Sequence, residues 1–123
     1  GTVKSHISHV VLDSVGWENT CRQVLEDCPL VQTYSRNDHL DFSIPYIDAA
    51  GTSRLHMPDF LVRLTSGLLV ALELKGYERD LDKSKISAGY KWADAVNRYY
   101  GGRRWAYHAC FDPNKLSAEL QAL

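Results

Sequence analysis

The chain has 123 residues, 45% hydrophobic and 24% charged, which allows one domain with a closed core and is ordinary for a globular protein. A net charge of −1 excludes a protein that coats nucleic acid by charge alone, and no apolar run approaches the roughly 20 residues that span a bilayer. Three cysteines without a C-x-x-C pair read as buried reduced thiols, and with no secretory leader recognisable the expectation is a cytoplasmic protein with no membrane partner.

Asp13 or Ser14 stands where a helix cap belongs, and Trp17, Cys21, Val24 and Leu25 then fall on one stripe. A first helix is predicted to about Asp27, ended by Cys28-Pro29. Leu30 to Arg36 alternates loosely and reads as an edge strand closed by the turn pair Asn37-Asp38. Leu40 to Ile47 reads as a further strand, with Pro45 at an edge or bulge because proline cannot donate to a ladder. After a turn around Gly51, Arg54 to Leu64 and Leu68 to Tyr77 are the two clearest strands. A long helix is predicted from about Lys83 to Tyr100, stopped by Gly101-Gly102, and Arg104 to Phe111 is an aromatic-rich strand. Asp112 caps a last helix with Pro113 at its first position. This order predicts a single α/β (α+β) domain, a mixed sheet flanked by helices.

Thr65-Ser66-Gly67 separates the two main strands. A three-residue hairpin loop usually ends on a residue with positive φ, and Gly67 occupies that place. In that register Leu64 faces Leu68 and Asp59 faces Glu73. Alternation then puts Asp59, Leu61, Arg63, Leu69, Ala71, Glu73 and Lys75 on one face, and Phe60, Val62, Leu64, Leu68, Val70, Leu72 and Leu74 on the other. A two-residue turn would pair Asp59 with Leu74 and mix the faces, so the apolar face selects the first register. Like charges directly opposite destabilise a hairpin, and a bound cation supplies the reason for tolerating them. Without one, clustered carboxylates repel and at least one holds its proton more tightly. Two carboxylates and an amine are the minimal equipment for holding a divalent metal beside a phosphodiester and activating a water. The bland alternative for Asp59, Glu73 and Lys75 is a surface ion pair on an exposed sheet face.

Charge is unevenly distributed. Residues 1–60 carry four Lys/Arg against eight Asp/Glu, whereas residues 71–104 carry eight against five. A phosphate-facing side on the second segment and a solvated mixed-charge helix both account for this. Trp92 reads as core cover, Asn97 as a backbone clamp, and Trp105 and Tyr107 as core. His56 lies one position out of phase with Asp59 along a continuous strand and is given no catalytic role. Asp80 and Asp82 read as a solvated loop and a helix cap. Gly51-Thr52-Ser53 lacks the Walker spacing, so no ATP site is expected in this chain.

The run Tyr34 to Tyr46, then Pro58-Asp59-Phe60-Leu61-Val62-Arg63, then Leu72-Glu73-Leu74-Lys75-Gly76, then Lys85 and Trp92 to Asn97, resembles a PD-(D/E)XK nuclease. More narrowly it is similar to the C-terminal endonuclease domain of type III restriction enzyme restriction subunits, which are helicase-nucleases. The resemblance covers about Asp13 to Ala109. It implies a restriction-endonuclease-like core of order αβββαβ, with a short extra strand and a C-terminal helix. It also implies a domain excised from a larger protein; separately, Gly1-Thr2 at the start reads as a cloning scar. By the resemblance, Asp59 and Glu73 bind Mg²⁺ (or Mn²⁺), the Leu74 carbonyl is a further ligand, and Lys75 orients the attacking hydroxide. Glu18 is the matching extra acid on the first helix, against the alternative of an ordinary exposed helix residue. Lys85 is a candidate phosphate contact, against the alternative of a solvated lysine. The implied partners are DNA, helicase/ATPase and methyltransferase parts of a restriction complex, and a second copy for double-strand cleavage. The expected function is a metal-dependent DNA endonuclease domain. The alternatives are a catalytically inactive nucleic-acid-binding or assembly module, and a nuclease acting on branched DNA or RNA.

Overall fold

In the computed structural model, which describes residues 15–38, 42–75 and 82–123, the helical spacing of Cys21, Leu25 and Cys28 becomes the buried stripe of helix α1 (Val15–Asp27) and its exit. The chain continues through β1 (Val31–Arg36), β2 (Ile44–Ile47), β3 (Ser53–His56), β4 (Phe60–Leu64) and β5 (Leu69–Leu74). Helix α2 (Asp82–Tyr100), β6 (Trp105–Cys110), a 3₁₀ turn over Pro113–Lys115 and helix α3 (Leu116–Gln121) complete it. The main sheet has the order β1-β4-β5-β6, antiparallel except for the parallel pair β5–β6 that α2 connects. The architecture is therefore mixed α/β, with three helices around a mixed sheet.

The β4–β5 hairpin has the three-residue loop. Leu64 N–H donates to the Leu68 carbonyl at 2.9 Å, and Gly67 has φ 92°, a conformation that suits glycine because a Cβ would strain it. Phe60 pairs with Leu72 and Arg63 with Leu69, which is the register that places Asp59 opposite Glu73. The apolar face is core as expected: Phe60, Val62, Leu64, Leu68, Val70 and Leu72 are buried together with residues of α1 and α3. The opposite face buries Ala71, Ala109 and Tyr107 against Ala93 of α2 and Ile44 of β2.

Arg54 to Leu64 is not one strand. Met57-Pro58-Asp59 separates β3 from β4, and β3 pairs instead with β2 in a two-stranded sheet of its own. Pro58 fixes φ and lacks an N–H, so a ladder cannot run through it. The expected strand from Leu40 is the shorter β2, and in place of one short extra strand there is a two-stranded hairpin, because β3 is split from β4. Pro45 lies within it, opposite Leu55.

Helix α2 approaches β6 closely at Gly89, where a Cβ would stand 2.5 Å from the Tyr107 ring. Asn97 fastens the same junction: its amide donates to the Trp105 carbonyl at 2.7 Å, and its oxygen accepts the Arg104 and Trp105 N–H groups at 2.9 Å. Trp92 packs on the core beside Phe42, and Phe42 stacks on Trp105. Asp112 caps the 3₁₀ turn by accepting from Asn114 N–H at 3.0 Å. All three cysteines are buried and free. Among the described residues, no helix is long and apolar enough to cross a membrane. The cap at Asp13 or Ser14, the Trp17 and Asp82 side chains, Leu40, Tyr77 and Asp80 lie outside the described residues.

Candidate active site

Asp59 is fixed by its neighbours before β4 begins. Its N–H donates to the Leu72 carbonyl and its carbonyl accepts the Asn37 N–H, both at 2.9 Å. The buried Asn37 amide donates to the carbonyls of Phe42 (2.7 Å) and Pro58 (2.9 Å), and its oxygen accepts Phe42 N–H at 3.2 Å. Asn37 thus ties the turn after β1 to the Pro58-Asp59 corner. One carboxylate oxygen of Asp59, Oδ2, accepts the Leu74 N–H at 2.7 Å.

Glu73 is buried at 8% exposure, and both of its oxygens are engaged. Lys75 Nζ lies 3.3 Å from Oε1, and His56 Nε2 lies 2.7 Å from Oε2. Because a carboxylate only accepts, Nε2 carries the proton in that bond. His56 is itself buried, edge-on to the rings of Tyr46 and Tyr107, and its Nδ1 has no partner among the described residues.

Asp59 carries the electrostatic signature of the cluster. Burial first, and then the Glu73 charge, push its pKa up to about 6; Glu18 adds to the rise, while the Leu74 N–H and the Lys75 charge oppose it. Glu18, on the first turn of α1, is 7% exposed and therefore no ordinary surface residue. Its oxygens are held by Arg36 in a two-pronged ion pair, at 2.9 and 3.1 Å. Its charge also reaches the buried Cys21 thiol, whose pKa is raised chiefly by burial.

The fold therefore brings Asp59, Glu73, Lys75 and Glu18 into one electrostatic neighbourhood at the end of the β4–β5 hairpin, with Leu74 supplying its N–H to Asp59. Lys85 is half-buried on α2 and forms no hydrogen bond or ion pair with these carboxylates among the described residues. No group of three His, Cys, Asp or Glu side chains poised for a metal occurs among the described residues. Three contributors were not assigned from the sequence: His56, Asn37 and Arg36. His56 was placed by parity along an unbroken strand, and the break at Pro58 removes that parity. The available signal was its position two residues before the Pro-Asp corner. The chain matches no family model, no curated protein and no solved structure.

Proposed function

We propose that this domain is a Mg²⁺-dependent phosphodiesterase, a DNA endonuclease module with a restriction-endonuclease-like core. The observation that carries the proposal is the β4–β5 register that sets half-buried Asp59 opposite Glu73, with Lys75 Nζ 3.3 Å from Glu73 Oε1; burial and the Glu73 charge accordingly push the Asp59 pKa up. Two carboxylates set against each other repel, and a cation bound between them would relieve that repulsion beyond what Lys75 supplies. The donor set fits Mg²⁺, which takes hard oxygens from one or two carboxylates and keeps waters for the rest of its shell. Asp59, Glu73 and the Leu74 carbonyl would hold the ion. When bound, it would neutralise charge on the phosphate and lower the pKa of water.

The protein's own groups divide the remaining work. The Leu74 N–H holds Asp59 Oδ2 and leaves Oδ1 for a ligand. His56 fixes the Glu73 carboxylate through Oε2, and Lys75 keeps an ammonium at Oε1, where it can orient a water or a phosphate oxygen. Glu18 is held by Arg36 with lone pairs to spare, since a carboxylate accepts up to about four hydrogen bonds. The element order α1, β1, β4, β5, α2, β6, with the β2–β3 hairpin inserted, supports the nuclease-like reading. On that reading the domain cuts one strand per copy, serves a restriction-type helicase-nuclease with a methyltransferase partner, and dimerises for double-strand cleavage. The test is nicking of supercoiled DNA with Mg²⁺ by the wild type, Glu73→Ala and Lys75→Ala. Loss in both variants supports the proposal, and equal activity in all three proteins defeats it.

A second reading, a binding or assembly module without catalysis, is favoured by one observation. Both Glu73 oxygens already have cationic or protonated partners within the protein. Calorimetric titration with Mn²⁺ separates the two: the nuclease reading requires binding that Asp59→Ala abolishes, and the module reading requires none.

A further inference from the structure

The β2–β3 hairpin does not join the main sheet; it lies against α2 and forms one wall of a groove of about 640 Å³. That volume is in the range of sites that enclose small organic ligands, roughly 300–1,000 Å³. Lys83, Ser87 and Lys91 recur every fourth residue along one face of α2 and line the other wall, with Ser84 beside them. Two turns of helix spread the two lysines over about 12 Å. Among the described lining residues there is no carboxylate, and Tyr46 and Trp92 contribute ring surface. Tyr46 also meets His56 edge-on with ring centroids 6.3 Å apart, and His56 Nε2 is 2.7 Å from Glu73. The buried His56 side chain therefore packs between the groove wall and the carboxylate site.

We propose that this groove binds an unpaired nucleic-acid strand. Lysines and serine hydroxyls spaced along a helix suit successive backbone phosphates, and aromatic side chains lining the same groove suit unpaired bases. A duplex could lay only a backbone rim on such a groove, because its paired bases would be turned away from the rings. An acidic peptide would satisfy the lysines but has no use for the rings. This binding does not rest on the phosphodiesterase reading.

The probe is a fluorescein-labelled twelve-nucleotide poly-dT strand, followed by anisotropy in EDTA, where cleavage is silent. Lys91 is exposed on α2 and Lys115 is exposed on the far side of the sheet, so Lys115→Glu is the charge control. Lys91→Glu is expected to weaken binding about fivefold to tenfold and to lower the salt slope by about one, with Lys91→Gln intermediate and Lys115→Glu unchanged. Matched duplex and polyglutamate should compete at least about tenfold more weakly than unlabelled poly-dT. Equal effects of Lys91→Glu and Lys115→Glu would overturn the proposal, and so would duplex or polyglutamate competing as well as the strand. Hydrolysis of bis(p-nitrophenyl) phosphate with Mg²⁺ distinguishes the two readings. If Glu73→Ala loses that hydrolysis while Lys91→Glu binds poly-dT normally, the groove falls and the phosphodiesterase stands. If no protein hydrolyses it but the Lys91-specific binding loss persists, the groove stands and the phosphodiesterase falls.

Discussion

Asp59→Asn should make the metal-free protein more stable. The substitution keeps shape and an oxygen that can accept the Leu74 N–H, while removing the charge that burial and Glu73 disfavour. A rise from 3.8 to about 6 corresponds to about 3 kcal/mol when the group is fully ionised. The sign follows from linkage: a carboxyl whose folded pKa is raised binds its proton more tightly in the folded state. Its destabilising effect is therefore absent below the unfolded pKa of 3.8 and complete above about 6. For a domain of this size about 3 kcal/mol is roughly 10 °C in melting temperature. Melts of wild type and Asp59→Asn in EDTA should thus separate by about 10 °C at pH 8 and converge towards pH 4. Adding Mg²⁺ to ten times its dissociation constant should return about 1.4 kcal/mol to the wild type and nothing to the variant. A variant no more stable than wild type at pH 8, or a gain that does not change with pH, would refute this account of Asp59.

Four other outcomes follow from single contacts. Asn37→Ala removes three side-chain hydrogen bonds and strands the buried Pro58 carbonyl, so urea unfolding should show a loss of about 2–3 kcal/mol. Gly89→Ala drives a methyl into the Tyr107 ring; overpacking of about 1–3 kcal/mol should outweigh the helix-propensity gain of about 1 kcal/mol, and a higher melting temperature would contradict the close approach. His56→Ala leaves Glu73 without its 2.7 Å donor and should cost about 1–3 kcal/mol by chemical denaturation, with His56→Gln recovering part of it. Burial pushes Cys110 up to about 12 and Cys21 up as well, so native protein at pH 8 should react with a disulfide reagent orders of magnitude more slowly than unfolded protein.

The β4–β5 hairpin was legible because three signals agreed: a glycine at the positive-φ position, a uniform apolar face, and a register that preserved it. The shared face of Asp59, Glu73 and Lys75 followed from that register. Asn97 was legible because a polar side chain next to a helix stop has few alternatives to capping backbone. His56 was missed because alternation was carried through Pro58, where the chain leaves one sheet for another. The Glu18–Arg36 pair was missed because it joins α1 to the last residue of β1, a tertiary contact that no local period encodes. Asn37 read as a turn residue, and it does begin a turn. Its buried amide bonding to Pro58 depends on a corner 21 residues away.

The hairpin that carries the site also has the shortest loop to close. The Asp59–Leu74 hydrogen bond spans 15 residues and is closed by a tight turn, whereas β1 can reach β4 only after the inserted β2–β3 segment has been accommodated. Local pairings of this kind cost the least loop entropy and tend to form first. If the hairpin forms first, the two carboxylates meet early on the folding path, and their repulsion would raise the barrier as well as the native energy. On that order of events a proton on Asp59, or the proposed cation between it and Glu73, would ease closure of the hairpin, so the chemistry of the site would be felt before the rest of the sheet exists.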